Sequence, residues 1–212
     1  MIRTLAIGIS AVMHPLLMTT YLFALLFFYA PLITRPLSPA AANYILLALF
    51  ITTFVLPLVS IAALRFSAFR VTNSFAALSL PTRRERILPF FFTSLFYLIT
   101  TYMFLAKFRV NLVLVVILGG ATALILAVST ATLLTKISAH AASGGALVGF
   151  LIGLSIRYPQ SFLFIPVVVA IVLTGAVMSA RLYLDLHSAR GVWLGVGLGV
   201  VVSLSSILWF VN

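Results

Sequence analysis

Cysteine is absent from this chain of 212 residues, and acidic side chains are almost absent. Without cysteine there can be no disulfide, no thiolate nucleophile and no cysteine-ligated metal. Glu85 and Asp185 are the only carboxylates, and with scattered histidines they cannot build a two-metal hydrolytic site. We therefore expect neither a metal nor a cofactor.

Charged residues are scarce as well, at 7% of the chain against 64% hydrophobic residues and a mean hydropathy of +1.29. A soluble domain is usually about 45–50% apolar, and so few charges cannot cover a globule of this size. The composition predicts an integral membrane protein. We expect an all-α polytopic bundle of six or seven transmembrane helices, forming one domain over residues 1–212.

Apolar runs of about 20 residues, the length that crosses a bilayer, are the main feature that is present. The first run is interpreted as a retained helix rather than a signal peptide, because no small-x-small cleavage site ends a short hydrophobic core. The run at 140–157 is short and Gly-rich, so that six spans remain an alternative to seven. The candidate spans are 5–30, 43–64, 87–106, 110–134, 140–157, 161–180 and 190–211.

If all seven runs cross, three polar stretches lie on one side of the membrane: 65–86, 136–140 and 181–190. The net charge is +11, and no basic helix stands free of the membrane to bind nucleic acid. Anionic lipid or phosphate is therefore the expected partner. Lys and Arg are more frequent on the side of these stretches when the stretches are counted, and more frequent on the opposite side when they are left out. The orientation in the membrane therefore stays open.

The stretch "KISAHAASGG" at 136–145 places polar residues beside a membrane-length apolar run. Ser138 can cap the helix that follows, and the free N–H groups of its first turn form an anion site. His140 lies in that turn, where it could give a proton to an oxygen of the bound anion. The small residues at 141–145 should let neighbouring helices come close.

The stretch "ARLYLDLHSARG" at 180–191 contains Arg181 and His187, six positions apart. Six residues rotate by about 240° on one helix, so a straight helix cannot aim both side chains at one point. We expect one helix to end near Arg181 and another to start near His187. His187 and Gly191 would then share a helical face.

These stretches resemble the type 2 phosphatidic acid phosphatase superfamily, the membrane relatives of the vanadium haloperoxidases. "ISAH" resembles that family's Ser-Gly-His element, and "ARLYLDLH" its Ser-Arg-x5-His element, with the two histidines 47 positions apart. The basic "TRRERILP" falls where the family has its first element. The resemblance covers roughly 80–210.

The resemblance implies metal-free phosphoryl transfer, with His187 as the nucleophile and His140 as the acid that protonates the leaving oxygen. Arg181 and the Ser138 turn match phosphate ligands. Further basic residues are expected to bind the same phosphate: Lys136, Arg83, Arg84 and Arg86.

The chain departs from that family at several positions. Gly191 stands where the family has an Asp that orients the nucleophilic histidine, and Ala180 and Ala139 replace a Ser and a Gly. "MHPLLMTTY" at 13–21 together with "RRERILP" resembles a divergent bacterial branch, which implies the bacterial inner (plasma) membrane.

Two functions follow from these motifs. The first is hydrolysis of a lipid phosphate or diphosphate through a phosphohistidine. The second is a catalytically impaired relative that binds or transports such lipids. A channel or transporter of another class would favour inverted repeats or broken helices, and neither is visible.

The three histidines allow other interpretations as well. Zinc on all three would need three distant helices to meet. A histidine at a helix end is often structural, and His14, beside Pro15, is expected to bond a carbonyl freed by the proline.

Overall fold

The computed structural model of the protein describes residues 1–68, 83–108 and 110–211, without the side chains of 65–68 and 83–87. The described part is helical and contains no strand, which confirms the all-α prediction. Its helices are α1 (Ile2–Val12), α2 (Pro15–Tyr29), α3 (Pro31–Thr34), α4 (Pro39–Leu49), a π-helical segment (Phe50–Val55), α5 (Leu56–Ala68), α6 (Arg83–Ala106), α7 (Leu112–Leu134), α8 (Ala139–Arg157), a 3-10 turn (Pro159–Ser161), α9 (Phe164–Tyr183) and α10 (Ala189–Phe210).

Six helical runs in the described part are long and apolar enough to cross a membrane. Each coincides with one of the predicted spans from 43–64 onward, so the chain is an integral, polytopic membrane protein. The runs are Pro39–Leu64, Leu88–Ala106, Leu112–Leu134, Ala139–Arg157, Phe164–Tyr183 and Ala189–Phe210.

The predicted single helix over 5–30 is instead two helices, α1 and α2, which meet at an angle of 61°. Pro15 has no N–H to continue the hydrogen-bond ladder, and its ring clashes with the preceding turn. The chain breaks at His14 and Pro15 begins the next helix. The described part of the chain has seven candidate spans if this bent pair counts as one, and six otherwise.

Helix α8 lies at the centre of the bundle and packs along α10. Glycines make this contact close. A Cβ built on Gly145 would lie within 2.9 Å of the Val196 backbone, and one on Gly199 within 2.7 Å of the Ala146 nitrogen. The prediction that small residues near 141–145 allow close helix packing is confirmed.

The two ends of the bundle are each fixed by hydrogen bonds between distant segments. At one end the Asn111 side chain donates to the carbonyls of Ile33 and Arg35, both at 3.1 Å. At the other end the Ser138 N–H donates to the Gly191 carbonyl at 3.1 Å. Residues near 138 and 191 therefore lie together, as the parity of the spans predicts. We call this the site end.

Candidate functional site

Ser138 caps the start of α8, as the sequence predicts. Its Oγ accepts a hydrogen bond from the Ala141 N–H at 3.3 Å, and its side chain is fully buried. The remaining free N–H groups of the first turn and the helix dipole favour an anion at this position. The cap therefore fixes where α8 begins and holds His140 in its first turn.

The chain turns between Arg181 and His187, which confirms the predicted break. Helix α9 ends at Tyr183, and α10 begins after Ser188, whose Oγ accepts from the Gly191 N–H at 3.2 Å. Asp185 has a φ of 52°, in the left-handed region that turns the chain sharply. This turn brings Arg181 and His187 to one end of the bundle.

The expectation that His187 and Gly191 share a helical face is wrong. His187 precedes the capping Ser188 and so lies outside α10. Gly191 lies against the backbone of Lys136, whose carbonyl oxygen would be well inside 3.0 Å of any added Cβ. There is no space at position 191 for the aspartate that the resemblance places there.

His140 bonds a backbone carbonyl that the break in the first run leaves without its helical partner. Its Nε2 lies 3.1 Å from the carbonyl oxygen of Ser10, in the last turn of α1. A carbonyl only accepts, so Nε2 is the donor and carries a hydrogen. The sequence analysis expected His14 to bond such a carbonyl. Instead, the Nδ1 of His14 accepts from the Leu16 N–H at 3.4 Å and caps α2.

His14 is the site residue that sequence reasoning missed. Its ring meets that of His140 edge to face, with centroids 5.6 Å apart. Arg181 and His187 line the same cavity as these two rings. The available signal was the His-Pro pair inside the first apolar run, because a helix break there turns its side chains toward a neighbouring helix.

A cavity of about 740 Å³ opens over this cluster. Its lining includes both predicted catalytic histidines and two predicted phosphate ligands, Lys136 and Arg181. His187 is only 8% exposed, so it can react only with a group that enters the cavity. The charged and imidazole side chains among the described lining residues are His14, Lys136, His140, Arg181, Asp185 and His187.

Three further predicted phosphate ligands, Arg83, Arg84 and Arg86, have side chains outside the described part of the structure. Their backbone forms the first turn of α6. Phe90 and Thr93, further along the same helix, line the cavity. Helix α6 therefore contributes to the cavity wall, while the role of the three arginines stays a prediction.

Chemically, the site end gathers cationic and imidazole groups around a partly buried space, with Asp185 as the one carboxylate among the described lining residues. Interactions between charges are stronger in such a place than in water. An anionic group that enters it would be attracted by Arg181 and Lys136. Among the described side chains, no group of three His, Asp or Glu residues could hold a metal ion.

No protein-family model, no curated protein and no solved structure matches this chain. The fold class and the membrane character therefore come from the helices themselves, and the function has to be argued from the site.

Proposed function

We propose that this protein hydrolyses the phosphate or diphosphate group of a lipid, in the bacterial inner membrane. One observation supports the proposal most strongly. A single cavity joins a cationic, histidine-bearing end to a wall made of apolar side chains from membrane helices. A lipid phosphate has the same two parts, an anionic head and a hydrocarbon tail.

In the proposed reaction, a nitrogen of His187 attacks the phosphorus, and the bond from phosphorus to the lipid oxygen breaks. His140 gives a proton to that leaving oxygen. Water then attacks the phosphohistidine and gives a proton back to His140, which releases inorganic phosphate and restores both histidines. Arg181 and Lys136 bind the phosphoryl oxygens, where fixed charge stabilises the transition state.

The hydrogen bond of His140 sets a condition on this role. In the neutral ring the Nε2 hydrogen is held by the Ser10 carbonyl. To act as an acid, His140 must turn this hydrogen toward the leaving oxygen or carry a second proton on Nδ1. A bound dianionic phosphate favours the second state, because it stabilises a nearby imidazolium.

A second candidate function is binding or transport of such lipids without hydrolysis. It is favoured by the contact between Gly191 and the Lys136 backbone. This contact leaves no room for a carboxylate at the position where the resembled family has the aspartate that orients the nucleophilic histidine. Loss of an orienting aspartate lowers turnover by about 10⁴-fold in a serine protease. Asp185, two positions before His187, is the one carboxylate among the described lining residues, and we propose that it substitutes for the orienting aspartate.

The deciding experiment measures phosphate release from proteoliposomes that contain phosphatidate, a polyprenyl diphosphate or a lipid A phosphate. We expect release by the wild-type protein in excess chelator, inhibition by orthovanadate, and none from His187→Ala. Asp185→Asn should lower turnover with little change in KM if Asp185 orients His187. If the wild type binds these lipids but releases no phosphate, the binding or transport function replaces hydrolysis.

A further inference from the structure

The cavity extends well beyond the histidines, along one face of α8. Residues 139, 140, 143, 146, 147 and 150 all line it, at the spacing of three and four that marks a single helical face. From His140 to Phe150 is ten residues, or about 15 Å along the helix. This is about half of the roughly 30 Å hydrocarbon thickness of a bilayer.

We propose that this inner part of the cavity holds one hydrocarbon chain of the lipid inside the protein, beneath the phosphate. The inference rests on the proposed function only for the identity of the head group. The chain would run from the histidines past Ala146 and end near Leu147 and Phe150, both of which line the cavity.

The polar side chains along the inner wall already have partners. The hydroxyls of Thr19 and Tyr97 bond each other at 3.0 Å, and the Thr93 hydroxyl bonds the Pro89 carbonyl at 2.8 Å. A sugar or nucleotide placed here would lose its hydrogen bonds to water without replacement, which is costly. A hydrocarbon chain forms no hydrogen bonds with water, so the wall favours a hydrocarbon chain over a polar ligand.

The volume limits how much of a lipid can enter. A cavity of 740 Å³ has room for about 25 groups the size of a water molecule, at roughly 30 Å³ each. A phosphate and one long chain use most of this space. A second long chain of a two-chain lipid would therefore have to remain in the bilayer.

Burial of the chain would supply position rather than affinity. Lipid tails are as apolar as leucine side chains, so a chain gains little by moving from the bilayer into the protein. A chain fixed in the cavity does, however, hold the phosphorus in one place relative to His187. Such positioning is a large part of catalysis, and it makes chain length a determinant of specificity.

Photocrosslinking tests where the chain lies, with the full-length protein in proteoliposomes. The probe is hexadecyl phosphate with a diazirine near the end of its chain, and the labelled peptides are identified by mass spectrometry. We expect labelling at Leu147 and Phe150, reduced by excess unlabelled hexadecyl phosphate. Labelling confined to outward-facing residues such as Val172, which is 64% exposed, would overturn the proposal.

Two variants sharpen the test. Ala146→Leu adds bulk to the middle of the chain path and should lower labelling at Phe150 by about tenfold, the effect of small volume changes in apolar pockets. Phe150→Leu should move the label further along the cavity. Val172→Leu, on the lipid-facing surface of α9, is the matched control and should leave labelling unchanged. Unchanged labelling in both cavity variants would contradict the proposal.

The result separates this proposal from the proposed function. Crosslinking reports on the chain whether or not phosphate is released. Labelling inside the cavity without hydrolysis supports the chain site on a protein that binds or transports lipid. Hydrolysis with labelling only on the outer surface keeps the phosphatase and removes the chain site.

Discussion

Substitution of Gly199 by alanine should destabilise the bundle, because α8 and α10 touch at this glycine. An added Cβ would lie 2.7 Å from the Ala146 nitrogen and closer still to the Ala142 carbonyl oxygen. Real Cβ atoms essentially never approach other heavy atoms within 3.0 Å. Both neighbours are backbone atoms of a central helix, so relief requires the two helices to move apart.

Gly197, two positions earlier on the same helix, is the matched control. A Cβ there meets nothing within 4 Å. Alanine is favoured over glycine in a helix by about 1 kcal/mol, and this gain applies to both variants and cancels between them. The difference that remains is the cost of overpacking, about 1–3 kcal/mol. Because rigid backbone is displaced, we expect the upper end of this range.

The measurement is the free energy of unfolding in one detergent, from thermal or denaturant titration of wild type, Gly199→Ala and Gly197→Ala. We expect the Tm of Gly197→Ala to equal or exceed that of the wild type. The Tm of Gly199→Ala should be several degrees below that of the wild type. Equal stabilities for the two variants would refute the close packing of α8 against α10.

Three further predictions concern the site end and the cavity wall. Gly191→Asp should lower stability and fail to raise phosphate release, because position 191 has no room for a side chain; release above the wild-type rate would contradict this. Tyr97→Phe should cost about 1–3 kcal/mol of unfolding free energy by leaving a buried hydroxyl without its partner, whereas Tyr102→Phe, at an exposed position, should cost nothing measurable. Ser138→Ala and Ser38→Ala each remove an N-cap worth about 1 kcal/mol of stability. Only Ser138→Ala should also weaken the binding of lipid phosphate. Equal losses of binding in the two variants would show that the Ser138 cap has no link to the site.

The spans from 43–64 onward could be predicted because each is a continuous apolar run of membrane length. Pro15 indicates an irregularity within the first apolar run, but it does not determine the angle between α1 and α2. The angle of 61° depends on the packing of α1 against α9 and on the bond from His140 to Ser10. Both involve residues more than a hundred positions away, which no local pattern contains.

The π-helical segment Phe50–Val55 was not predicted either. It widens the turn by one residue, and such widening has no clear sequence pattern. Thr52 and Thr53 bond carbonyls of the preceding turn at 2.8 Å. Phe54, within the segment, meets the ring of His14 edge to face at 6.2 Å. An irregular helix therefore packs against the histidine that the sequence analysis expected to bond a backbone carbonyl.

Within the site, the spacing of Arg181 and His187 predicted the turn between α9 and α10, because no straight helix can aim both residues at one point. The closeness of Gly191 to the Lys136 backbone could not be predicted. A glycine at a helix start has several ordinary explanations, and only the packed structure shows which applies. A glycine at position 191 is therefore a steric requirement of this bundle.

The break before Pro15 links the fold to the proposed chemistry. In a continuous helix over 5–30, the Ser10 carbonyl would accept from the N–H four residues later, and His140 would lose this acceptor. Because the helix ends, the carbonyl is free to fix the ring of His140 and to place a hydrogen on its Nε2. The same break brings His14 against that ring. A proline that looks purely structural in the sequence thus sets the orientation of the histidine proposed to protonate the leaving group.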